Sequence, residues 1–195
     1  MDELTKKCIE AYSDLKHLKL TGERVGIPWQ TVYIKLKAAG IAVNGDKQRY
    51  GSISDKLAAK AEQLFAYLVP FANDNNETEF QSSIDFNIGS ITIDVKASAL
   101  KEYPNSRDAP KWGFCVNRQK DTADYFVMFA YDKGGERVVH TFLIPNEIAN
   151  KRTTISIPAS MNSKWADYEI MQKDLTPFFM DASHAEKEQT HETTI

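Results

Sequence analysis

The sequence predicts an α+β protein with α/β character in its second half: a small all-α domain, then a mixed β-sheet core flanked by helices. Three observations predict it. Apolar residues recur at three- and four-residue spacing through most of the first forty positions, a further amphipathic helix follows, and after residue 80 the pattern changes to alternating and continuous apolar runs. A length of 195 residues accommodates one ordinary domain with a small appendage, and 42% hydrophobic with 26% charged residues excludes collagen-like, mucin-like and wholly disordered chains. The expected boundaries are 1–45 for the helical domain, 46–53 for a linker, 54–180 for the sheet domain and 181–195 for a disordered acidic tail.

In the first region Leu4, Cys8, Ile9, Ala11, Tyr12 and Leu15 share one face of a helix over residues 3–15. A short helix fits 18–25. Gly26 supplies a tight turn, and Ile27-Pro28 leads into a third helix, 29–39, in which Val32 and Leu36 face inward and Gly40 closes the end. The stretch Leu20 to Ile41 resembles the helix-turn-helix family, with Gly22, Gly26 and Val32 at positions that family uses. That resemblance implies a DNA reader whose third helix turns Trp29, Gln30, Thr31, Tyr33, Ile34 and Lys37 to the major groove. Gln30 suits adenine edges, Thr31 and Tyr33 suit bases or phosphates, and Lys35 and Lys37 suit phosphates. Residues 1–53 carry nine Lys/Arg against six acids, a local excess of positive charge inside a chain whose formal net charge is −3. The polar segment Asn44 to Ser52 reads as a linker able to track the phosphate backbone.

The second region opens with an amphipathic helix over 54–68, capped by Ser54, with Leu57, Ala61, Leu64, Phe65 and Leu68 on its apolar face and Glu62 inside it. After an Asn- and acid-rich loop, residues 80–86 and 91–97 read as a hairpin around Asn87-Ile-Gly-Ser90. In its second strand Ile91, Ile93 and Val95 alternate with Thr92, Asp94 and Lys96, so carboxylate and ammonium share a face, and Asp85 can reach the same spot. Residues 111–117 read as a third strand, 124–131 as a buried central strand, and 138–145 as another. Carboxylates that hold Mg²⁺ beside a lysine are what metal-dependent phosphodiester cleavage requires. The metal polarises the phosphoryl oxygen and acidifies water, while the ammonium orients the nucleophile and offsets charge in the transition state. Residues 54–180 are net acidic, so a divalent metal would also supply positive charge toward a polyanion.

On these residues the region resembles the PD-(D/E)XK nuclease superfamily, which has a restriction-endonuclease-like core. Asp85 matches its first acid, Asp94 the second, Lys96 its lysine, and Glu62 the acid often found on the preceding helix; Ile84 stands where that superfamily's proline falls. The resemblance implies catalysis by Asp85, Asp94, Lys96 and Glu62, with Mg²⁺, or Mn²⁺ in its place, held by Asp85, Asp94 and Glu62. Gln119 and Lys120, after the third strand, are candidates to approach the scissile phosphate; Glu77 and Glu79 are weaker substitutes for Asp85.

Other chemistries find no support. Cys8 and Cys115 lack a CxxC partner and read as reduced structural thiols, the four histidines share no metal-binding spacing, and there is neither a nucleophile elbow nor a phosphate-binding glycine loop, so no nucleotide cofactor is expected. No apolar run reaches the roughly 20 residues of a bilayer span and the first residues are acidic, so the expected location is the bacterial or phage-infected host cytosol, away from membranes. Together the two regions predict a site-selective endonuclease on double-stranded DNA, working as a homodimer because one chain holds one catalytic constellation. The alternatives are a non-catalytic DNA-binding regulator whose second region is a decayed nuclease or a dimerisation domain, and a protein-interaction adaptor that would leave the groove-facing residues of the third helix unused.

Overall fold

The computed structural model describes residues 1–41, 43, 52–75, 84–102, 109–119, 122–149 and 152–192. They fall into two compact units, one holding 1–41 and the other 52–74 and 84–192.

The first unit is three helices, α1 (Glu3–Leu15), α2 (Leu18–Val25) and α3 (Trp29–Ala38). Each end has a local cause. Asp2 caps α1 by accepting from the Thr5 N–H, and the His17 Nδ1 accepts from the Leu20 N–H to cap α2. Gly26 ends α2 at φ +77°, where a side chain would be strained. Gly22 answers a different need: a Cβ there would lie 2.6 Å from the Ile27 carbonyl oxygen, so only glycine lets the turn between α2 and α3 close. Cys8, Tyr12, Val32, Leu36 and Val43 form the core of this unit.

In the second unit, helix α4 (Ile53–Leu68) is followed by β1 (Asn73–Asp74), β2 (Phe86–Ile88), β3 (Ile91–Ala99), β4 (Lys111–Cys115), β5 (Tyr125–Tyr131), β6 (Val138–Pro145), the single turn α5 (Asn146–Ala149), β7 (Thr154–Pro158) and α6 (Leu175–Glu192). The main sheet is mixed, in the order β1-β2-β3-β5-β6, with β3 and β5 parallel and the other pairs antiparallel. The hairpin turn is tighter than expected: Gly89 and Ser90 alone connect β2 to β3, with Gly89 at φ +61°. One sheet face packs Ile93, Val95, Val127 and Phe129 against Ala61 and Phe65 of α4, Val69 just after it, and Leu175 and Phe179 of α6. The opposite face packs Phe126, Met128, Phe142 and Ile144 against Trp112 and Phe114 of β4 and Ile155 and Ile157 of β7.

Four expectations are corrected. Helix α4 starts at Ile53 and its cap is Ser52, not Ser54: the Ser52 hydroxyl accepts from the Asp55 N–H while the Asp55 carboxylate accepts from the Ser52 N–H. That reciprocal pair satisfies two orphan donors at once, which Ser54 with Leu57 three residues on could not do. Residues 111–115 do not extend the main sheet; they pair antiparallel with β7 in a separate two-stranded sheet, and Trp112 and Phe114 cover the face opposite the helices. Residues 181–192 are helical and not disordered. Leu175 and Phe179 anchor α6 in the core, and the Ala, Glu, Lys and Gln residues beyond are strong helix formers that extend a turn already nucleated. Finally, Cys8 is buried as a structural thiol should be, whereas Cys115 is exposed. The linker residues 46–51 and the acids Glu77 and Glu79 lie outside the described residues. Among the described residues no helix is long and apolar enough to cross a membrane.

Candidate active site and candidate nucleic-acid interface

Strand β3 creates the polar cluster by alternation. Ile93 and Val95 enter the core against α4, so Asp94 and Lys96 project from the other face. Register brings in Asp85: Phe86 lies opposite Ile93, and Asp85 directly precedes Phe86. Its Oδ2 accepts from the Val95 N–H at 2.8 Å, which fixes this carboxylate beside its neighbour.

Asp94 is 1% exposed and Lys96, whose Nζ lies 2.6 Å from Asp94 Oδ2, is 20% exposed. Burial is the largest influence on the Asp94 carboxyl and pushes it up to about 7; Lys96 opposes the shift and the negative charge of Asp85 adds to it. The Lys96 contact pairs the ammonium with the buried carboxylate oxygen itself, so Lys96 is the cation Asp94 faces. A buried carboxylate facing a second carboxylate is suited to a hard divalent cation, which takes oxygen ligands and relieves the mutual repulsion, and Asp85 and Asp94 are the two that would hold Mg²⁺ or Mn²⁺.

Glu62, expected as a third acid, is half-buried on α4, the helix packed on the Ile93 and Val95 face of the sheet, while Asp94 and Lys96 project from the reverse face. Among the described residues no group of three or more His, Cys, Asp or Glu side chains is placed to hold a metal. The structure thus gathers Asp85, Asp94 and Lys96 and does not add Glu62 to a three-acid set. Gln119 is half-buried in the turn before β5, where its carbonyl accepts from the N–H groups of Thr122 and Ala123; Lys120 lies outside the described residues.

Sequence reasoning missed a brace beside the cluster. The Asp124 carboxylate accepts from both the N–H and the hydroxyl of Thr92, each at 2.7 Å, and so ties the start of β3 to the start of β5 two residues before Asp94. An acid directly preceding a wholly apolar strand was the available signal.

In the first unit, α3 leaves Trp29 (47% exposed), Tyr33 (39%) and Ile34 (65%) open, with Gln30 and Lys37 also exposed and Thr31 half-buried. Lys35 is not on this face. Its Nζ sits 3.1 Å from Asp2 Oδ2 and 3.3 Å from Thr5 Oγ1, turned toward α1 because position 35 lies beside the buried Val32–Leu36 stripe. Lys37 remains as the cation α3 directs outward. The helix contains no carboxylate, and its first residue follows Pro28, which makes no side-chain capping bond.

No protein-family model matches the chain, and no curated protein matches it.

Proposed function

We propose that the chain is a Mg²⁺-dependent, site-selective DNA endonuclease that hydrolyses phosphodiester bonds, with the three-helix unit as its reader. The observation that carries this reading is the convergence of Asp85 and Lys96 on the buried Asp94 carboxylate. The sequence resemblance to PD-(D/E)XK nucleases supports it, and so does the exposed, acid-free face of α3.

Asp85 and Asp94 would hold the metal, which when bound supplies Lewis acidity at the phosphoryl oxygen and lowers the pKa of water. The chain's own groups do the rest. The Val95 N–H holds Asp85 in place, and the Thr92–Asp124 brace fixes the strand that carries Asp94. Lys96 neutralises Asp94, and its ammonium would orient the nucleophile and offset charge on the pentavalent phosphorus. Cutting both strands of a duplex calls for two such sites, hence a homodimer on a partly symmetric target.

Incubation of supercoiled plasmid and a mixed-sequence duplex library with protein and Mg²⁺ tests the proposal, alongside Asp94→Ala, Lys96→Ala and an EDTA control. Discrete cuts that require metal and drop by on the order of 10²–10³-fold or more in both variants are expected. A second reading, a non-catalytic DNA-binding regulator, is favoured by one observation, the near-complete burial of Asp94 in an ion pair with its own lysine. It wins if DNA is bound yet stays intact in Mg²⁺ and Mn²⁺ on linear, supercoiled and branched substrates.

A further inference from the structure

Resting on the reading of α3 as a DNA reader, we infer that Gln30 and Ile34 make the protein specific for a site in which an adenine and a thymine methyl lie about two base-pair steps apart. Helix α3 directs one cation outward, Lys37, because Lys35 is held by Asp2 and Thr5. Its contribution to phosphate neutralisation is therefore small, and what it presents is chemistry for base edges: an amide at Gln30, an aliphatic side chain at Ile34 that is 65% exposed, and two aromatic rings. Gln30, Ile34 and Lys37 stand at i, i+4 and i+7, one stripe along the helix.

The chemistry of that stripe selects among base pairs. A glutamine amide matches the N7 acceptor and N6 donor of adenine, and an aliphatic side chain finds an apolar partner in the major groove only in the 5-methyl group of thymine. Four residues of helix rise about 6 Å, close to two base-pair steps of roughly 3.4 Å each, which sets the separation. The absence of any carboxylate from α3 removes the side chains that would accept from cytosine N4. An isoleucine this exposed also gains from burial against a methyl group.

Gel-shift titrations of the full-length protein in EDTA, on a duplex selected from a random library, test this inference. Matched duplexes carry uracil for thymine, which deletes the methyl, or 7-deazaadenine for adenine, which deletes the N7 acceptor. For the wild type, uracil at one position should weaken binding about fourfold, the value of one buried methyl, and 7-deazaadenine at its neighbouring site about fivefold or more. Ile34→Ala should bind thymine and uracil duplexes alike, and Gln30→Ala should lose the 7-deazaadenine effect while keeping the uracil effect. Wild-type binding indifferent to uracil at every position, or discrimination retained in Ile34→Ala, overturns the inference and leaves the DNA reader standing. No salt-dependent DNA binding at all overturns both.

Discussion

Asp2 and Asp94 each have a lysine ammonium within 3.1 Å, yet the first carboxyl is held down to about 2 and the second is pushed up to about 7. Asp2 sits at the surface as a helix cap, where the Thr5 N–H, then the Thr5 hydroxyl and Lys35, stabilise its charge and water supplies the rest. Asp94 lies between packed strands, where burial outweighs what Lys96 returns and Asp85 adds repulsion. The same pair of residue types thus stabilises a helix in one unit and strains the fold in the other. Burial, and not the identity of the partner, decides which way a paired carboxyl shifts.

The largest effect that would sharpen this comparison is removal of the buried cation. Lys96→Met leaves Asp94 without its counter-charge and should cost about 3–5 kcal/mol at pH 8, measured by denaturant unfolding. Lys35→Met, removing the equivalent partner of Asp2, should leave the midpoint close to the wild-type value, since a surface pair contributes little. Equal losses in the two variants would break the comparison.

Next in size is a gain. Asp94→Asn removes the buried charge and should raise stability at pH 8 by up to about 4 kcal/mol, and on the proposed function it abolishes cleavage. The pH dependence carries the sign. Below about 4 the Asp94 carboxyl is protonated in both folded and unfolded chains, and its contribution vanishes. Between about 4 and about 7 the unfolded chain has released a proton that the folded chain retains, so stability falls as pH rises and levels off above about 7. Asp94→Asn should lack this slope, which unfolding titrations across that range will read.

Asp2 gives the opposite and smaller dependence. Its carboxyl is depressed, so its stabilisation is present above about 4 and lost as pH falls toward about 2. Asp2→Ala should remove that acid-side loss and slightly lower helicity, visible by circular dichroism.

Much of this is legible in the sequence because it is local. Cys8, Ile9 and Tyr12 at helical spacing define α1, and the alternation of Ile91, Ile93 and Val95 with Asp94 and Lys96 is enough by itself to place the acid and the lysine on one face. What stays hidden depends on distant partners. Nothing local in Lys111–Cys115 says that it pairs with Thr154–Pro158 and not with the main sheet. Periodicity puts Lys35 on the helix surface but cannot see Asp2 waiting thirty-three residues upstream. Glu62 looks like a third ligand in sequence because spacing along a chain does not reveal which face of a sheet a helix covers. The acidic tail misleads for another reason: its lack of apolar residues is real, but a helix anchored by Leu175 and Phe179 needs only helix formers to continue.

The most direct test of the central claim is thermal unfolding at pH 8 with and without Mg²⁺, for the wild type and Asp94→Asn. If the buried carboxylate is kept charged to hold a cation, Mg²⁺ should raise the wild-type midpoint in a concentration-dependent way and leave the variant, already the more stable without metal, where it was. A wild-type midpoint that neither Mg²⁺ nor Mn²⁺ moves, or an equal shift in both proteins, would contradict it.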